Sequence, residues 1–124
     1  MHAGRLRAAQ EAIGRGAYVT DLGRVRANFR DWPNVEIVRG VVPEVLPSVG
    51  IGRVAFLHLD MNCAYPERAA LEFFWESLSP GALVLLDDYA YFSYGSLTQA
   101  IDEAAESLGA EVLSLPTGQG LIVR

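Results

Sequence analysis

The residues best placed to do chemistry are three aspartates at the ends of two apolar runs. Val54-Ala55-Phe56-Leu57-His58-Leu59 leads into Asp60, and Leu83-Val84-Leu85-Leu86 leads into Asp87-Asp88-Tyr89. Short runs rich in Leu and β-branched residues read as strands buried on both faces, the habit of parallel sheets. If the two are parallel neighbours, their carboxyl ends share one rim, where open α/β sheets bind ligands. Three carboxylates brought together there repel one another unless a cation or a proton sits among them. A hard divalent ion with oxygen ligands suits such a set. The alternative is that acids at strand ends form turns or cap helices and bind nothing.

The elements that position these acids follow from periodicity. Glu67 to Leu78 (ERAALEFFWESL) sets Leu71, Phe74, Trp75 and Leu78 on one helical face, which makes strand, helix and strand a right-handed βαβ unit. Upstream, residues 3–14 read as a helix with Leu6, Ala9 and Ile13 on one face, and residues 1–17 as a helical arm. Thr20 or Asp21 is placed to cap a helix lined by Leu22, Val25 and Phe29, which Trp32-Pro33-Asn34 stops. Val35-Glu36-Ile37-Val38 reads as a strand, Pro43 to Leu46 as a short segment and Pro47 to Gly52 as a loop. Downstream, Ser96 and Gln99 form a capping box for a helix carrying Leu97, Ala100, Ile101, Ala104, Ala105 and Leu108, with Gly109 as its stop. Val112 to Leu115 and Leu121 to Val123, joined by Pro116-Thr117-Gly118-Gln119-Gly120, read as an antiparallel hairpin.

Composition narrows the chemistry. A chain of 124 residues with half of them hydrophobic supports one domain with a genuine core. The net charge of −5 leaves no basic stripe for nucleic acid. Every basic residue is arginine, so there is no P-loop lysine, no Schiff-base lysine and no lysine of the kind a phosphoaspartate site needs. A single cysteine, Cys63, and two histidines, His2 and His58, argue against disulfides and against a thiolate or histidine zinc site. No run is long enough to span a bilayer and no signal peptide is legible, so the expectation is a cytoplasmic protein without a membrane partner.

The stretch LHLDMNCAYPERAALEFFWESLSPGALVLLDDYAYFSYG, followed by LPTGQGLIV, resembles the S-adenosylmethionine-dependent methyltransferases of the macrocin O-methyltransferase type. Those carry a strand ending in LDxD, a helix, an SPGG turn and a strand ending in DDY. The resemblance runs over residues 18–124 and implies a three-layer Rossmann-like sheet, mostly parallel, with an antiparallel C-terminal hairpin. It also implies that the first strands, with the Gly-rich turn that holds the methyl donor, are missing. GRG at 14–16 and GQG at 118–120 stand in the wrong context for that turn. Residues 1–124 thus read as a single, incomplete methyltransferase domain, whose open sheet edges invite homo-oligomers.

By the same resemblance, Asp60, Asp87 and Asp88 are the ligands of Mg2+ or a similar divalent cation, and Asp60 also faces S-adenosylmethionine. Asp60, Asn62 and Asp88 are the candidates for catalysis of O-methylation of a small hydroxylated acceptor. Asn62 departs from the family, which has a second acid there as candidate base, and an amide cannot take a proton at neutral pH. Cys63-Ala64-Tyr65-Pro66 departs too. The missing Gly-rich turn and Asn62 equally suit a second reading, a non-catalytic α/β binding or assembly module left by truncation. His58 reads as a hydrogen-bonded core or interface residue and Cys63 as a small semi-buried hydrophobe. Tyr89, Tyr91, Phe92 and Tyr94 either wall an acceptor pocket or pack against a neighbouring subunit.

Overall fold

The computed structural model describes residues 19–91 and 95–124. The helix expected over residues 3–14, and Phe92 and Tyr94 of the aromatic patch, lie outside them. Two compact units divide the chain, Met1–Arg39 and Gly40–Arg124, and each is described by itself.

In the first unit, α1 spans Leu22–Asn28. Of the two candidate caps it is Asp21 that serves, its Oδ1 accepting the Arg24 N–H at 2.7 Å. No residue of α1 is buried. Phe29 and Trp32 meet edge-on beyond it, with ring centroids 6.3 Å apart. The strand expected over Val35 to Val38 does not form. Val35 and Val38 are exposed, and the Val35 N–H closes a turn onto the Trp32 carbonyl. A strand is stable only beside a neighbour, and the described residues of Met1–Arg39 contain no other strand.

The second unit carries β1 (Val54–Leu59), α2 (Ala64–Phe74), β2 (Leu78–Leu86), α3 (Gly95–Ser107), β3 (Leu113–Ser114) and β4 (Gly120–Val123). Their sheet has the order β1-β2-β4-β3, with β1 and β2 parallel and both pairs involving β4 antiparallel. This is the α/β class expected, with the βαβ unit and the C-terminal hairpin in their expected places, although the sheet of the described residues is mixed, with one parallel and two antiparallel pairs, rather than mostly parallel.

Two boundaries differ from the sequence reading. Helix α2 starts three residues earlier than Glu67, because Pro66 falls in its first turn, where a missing N–H does no harm. It ends at Phe74 in a 3-10 turn, Trp75–Ser77, so Leu78 opens β2 rather than closing the helical face. The Ser79-Pro80-Gly81 turn lies within β2 as an irregularity. Val54 pairs with Leu78 and Phe56 already with Leu83, and Gly81 sits at φ 80°, a conformation glycine adopts freely. In α3, Ser96 is a helical residue rather than the cap, and the Gln99 amide donates to Glu103 Oε1 at 3.0 Å, so the capping box is not made. Gly109 does end the helix. At φ 70° it donates to the Glu106 carbonyl while Ala110 donates to that of Ala105, a Schellman arrangement.

Helices α2 and α3 bury one face of the sheet. Leu59, Ala82, Val84, Leu86 and Ile122 pack there with Leu71, Phe74, Leu97, Ile101, Ala104 and Ala105. On the opposite face Phe56, Leu83 and Val123 are 57%, 40% and 55% exposed. Burial along β1 and β2 therefore alternates in the described residues, where continuous apolar runs predict strands covered on both sides. No helix among them is long and apolar enough to cross a membrane. Leu71 is fully buried at the centre of α2. Leu71→Ala is expected to lower unfolding stability by about 2–5 kcal/mol in a denaturant titration, whereas Phe56→Ser should change it by no more than about 0.5 kcal/mol.

Candidate active site

Parallel register builds the site. Leu59 lies opposite Leu86, and the Asp87 N–H donates to the Leu59 carbonyl at 3.0 Å, carrying the ladder one residue past the strands. Asp60 therefore emerges beside Asp87 and Asp88. One carboxylate oxygen from each lies within 4.8 Å of the other two, with Asp60 exposed and the paired aspartates half-buried. The Asp88 carboxyl is pushed above the ordinary carboxylate range, first by burial and then by the charges of Asp87 and Asp60.

Asp87 and Asp60 are each held by neighbours. Asp87 Oδ1 accepts from the Gln119 amide at 2.9 Å and lies 3.7 Å from His58 Nε2. Gln119 is steadied in turn by the Thr117 hydroxyl at 2.9 Å, and the Gly118 carbonyl accepts the Ala90 N–H at 2.8 Å. The loop between β3 and β4 thus leans on the acidic rim, and Gln119 belongs to the site although its glycine-flanked turn reads as a plain hairpin. Asn62, at φ 54°, donates through Nδ2 to Asp60 Oδ1 at 3.2 Å. Asn adopts this left-handed conformation more readily than most residues.

Glu67 is the second residue that the sequence reading missed as part of the site. It is 1% exposed, and its Oε1 accepts the Met61 N–H at 2.9 Å. Burial raises its pKa, the amides of Met61, Asn62 and Cys63 lower it, and the Asp88 charge raises it again. Its burial is legible in the helical spacing, since Glu67, Leu71 and Phe74 share one face of α2.

Three readings are corrected. His58 is not a core residue; it is exposed, stands beside Asp87 and lies 6.4 Å from the Phe56 ring. Cys63 is exposed rather than semi-buried, and precedes α2 in extended conformation. Tyr89 does not wall a pocket. It turns inward, its phenol donating to Asp102 Oδ1 on α3 at 2.5 Å while its carbonyl accepts from the Thr98 hydroxyl. Gly120 lies under its ring, where a Cβ would come within 2.7 Å of Tyr89 Cγ. Tyr91 is exposed.

This sheet, with acids closing a parallel pair and an antiparallel hairpin on the far edge, shares its fold with part of known O-methyltransferases. The O-methyltransferase NovP superposes with a TM-score of 0.70 at 22% identity, over 84% of this chain and 45% of that one. CalS11, a TDP-rhamnose 3'-O-methyltransferase, gives a TM-score of 0.55 at 22% identity, over 69% and 38%. The sequence profile of the macrocin-O-methyltransferase (TylF) family matches residues 13–109, and the chain belongs to that family. A relative from Streptomyces olivaceus, 8-demethyl-8-(2,3-dimethoxy-alpha-L-rhamnosyl)-tetracenomycin-C 4'-O-methyltransferase, is 35% identical over 79 residues, 60% of this chain and 30% of its own length. The chain spans less than half the length of each of these proteins.

The Tyr89 phenol has its pKa pushed up to about 12, mainly by burial and then by the Asp102 carboxylate that accepts its hydrogen bond. A raised pKa means that the folded state resists ionisation. The stability that Tyr89 contributes is full below its ordinary value of 10 and is lost as pH rises towards 12. The difference in urea midpoint between wild type and Tyr89→Phe should accordingly stay constant at neutral pH and shrink over that window.

Proposed function

We propose that this chain is a single, incomplete methyltransferase domain that takes part in S-adenosylmethionine-dependent, metal-assisted O-methylation of a small hydroxylated acceptor in the cytoplasm. The observation that carries this reading is the convergence of Asp60, Asp87 and Asp88 at the carboxyl ends of a parallel pair in a sheet of this family. Their all-oxygen donor set fits magnesium or a similar hard divalent cation. Bound there, such an ion would supply Lewis acidity that lowers the pKa of an acceptor hydroxyl. The relative named above and CalS11 both methylate rhamnose-type sugars, which favours an acceptor of sugar hydroxyl chemistry.

The chain's own residues do the rest. Asp60, exposed at the tip of β1, would face the methyl donor. Asp88, half-buried beside Asp87, would complete the carboxylate set that faces the acceptor hydroxyl. Asn62 cannot act as a base. Its amide, already turned towards Asp60, steadies that carboxylate and offers a hydrogen bond to the acceptor. Methyl transfer is an in-line displacement at a sulfonium carbon, so most of the catalysis lies in aligning the two reactants and easing deprotonation.

Asn62, an amide where the family carries an acid, favours a second reading, in which the chain is a non-catalytic binding or assembly module. Calorimetric titration with S-adenosylmethionine and then with magnesium separates the two. Magnesium binding that is lost in both Asp60→Ala and Asp87→Ala is the expected result, and micromolar donor binding beside it would mean that the chain rebuilds a donor site. A chain that binds neither ligand defeats the enzymatic reading and leaves the module. Magnesium binding without donor binding would uphold the acidic site and assign donor binding to another part of a complete enzyme.

A further inference from the structure

β1 ends at Leu59 and α2 begins at Ala64, so four residues turn the chain from the sheet to the helix that covers it. Asp60 is the first of them, and Asn62 makes the turn at φ 54°. A residue with a Cβ stays in that region only where its surroundings hold it. The Glu67 side chain holds one side of Asn62, and the first backbone hydrogen bond of α2, made by the same residue, holds the other. Its Oε1 accepts the Met61 N–H at 2.9 Å, and its own N–H donates to the Cys63 carbonyl at 3.3 Å. Asn62, so fixed, donates to Asp60 Oδ1 at 3.2 Å.

The choice of residue is informative. Glu67 shares the core-facing side of α2 with Leu71 and Phe74, where an apolar side chain would pack at no electrostatic cost. It is instead a carboxyl 1% exposed, with Oε2 buried and without a hydrogen-bond partner. An apolar residue there would leave the Met61 N–H with no acceptor and the turn unpinned. The helix N-terminus and the amides of Met61, Asn62 and Cys63 make the buried carboxyl tolerable.

We propose that Glu67 is a positioning residue of the acidic cluster: by accepting the Met61 N–H its side chain fixes the Asn62 turn, and through Asn62 the carboxylate of Asp60. The inference rests on the cluster being the metal site proposed above, and its test reads the two separately. Amide hydrogen exchange and the Asn62 side-chain amide resonances are followed by nuclear magnetic resonance in the full chain, with manganese binding measured by calorimetry. In wild type the Met61 amide, which belongs to neither helix nor strand, is expected to exchange about tenfold or more slower than an exposed loop amide. Glu67→Ala should abolish that protection at residues 61–63, shift the Asn62 side-chain signals, leave β1 and β2 protected, and weaken manganese binding about tenfold. Glu67→Gln keeps an oxygen for Met61 and should restore the turn, with affinity within about threefold of wild type.

An unprotected Met61 amide in wild type overturns the proposal even if Glu67→Ala fails to fold. So does a Glu67→Ala chain with unchanged turn signals, or a loss of protection that spreads through β1 and β2, which marks a merely structural role. If wild type binds no manganese, the metal reading fails, and the amide and Asn62 signals alone uphold or overturn the positioning role.

Discussion

Repulsion among Asp60, Asp87 and Asp88 is the constraint around which the carboxyl edge of this sheet is arranged. Two unit charges about 4 Å apart near a protein surface oppose each other by up to about 4 kcal/mol, before salt and solvent screen the exposed partner. The parallel ladder leaves the chain no freedom to separate them. Once Leu59 lies opposite Leu86 and the Asp87 N–H is bound to the Leu59 carbonyl, the next residue of each strand arrives at the same place. Burial of Asp88 adds to the strain and raises its pKa. A cluster kept in this form is one poised to take up positive charge, as a proton or as a cation.

The residues around the rim restrain it rather than relieve it. Gln119 reaches from the β3–β4 loop to Asp87, and Asn62 turns its amide to Asp60. Both are neutral donors, so they orient carboxylates without removing charge. The contact between Tyr89 and Asp102, with Gly120 beneath the ring, ties the loop after β2 to α3 and to β4. Three elements distant in sequence thereby brace the two adjacent aspartates.

The sheet itself is finished on one side only among the described residues. Helices α2 and α3 seal one face, while Phe56, Leu83 and Val123 remain open on the other, and β1 stands at the edge. The related methyltransferase chains are more than twice as long as the part this chain matches. The same chain thus combines a well-formed acidic rim with an apolar face that a fuller methyltransferase domain has the material to cover.

Local pattern was sufficient for much of this. Apolar runs, acids at their ends, helical spacing and Gly109 fixed the βαβ unit, α3, the hairpin and the identities of Asp60, Asp87 and Asp88, because those features depend on neighbours within a turn or two. The fate of Val35 to Val38 was beyond its reach, since a strand exists only if another strand lies beside it. Whether Tyr89 faced a ligand or the core depended on Asp102, thirteen residues away on another element. The parts played by Glu67 and Gln119 were likewise settled by packing. A buried carboxyl or a glycine-flanked amide takes its meaning from the atoms that tertiary structure sets against it, here the Met61 N–H and the Asp87 carboxylate.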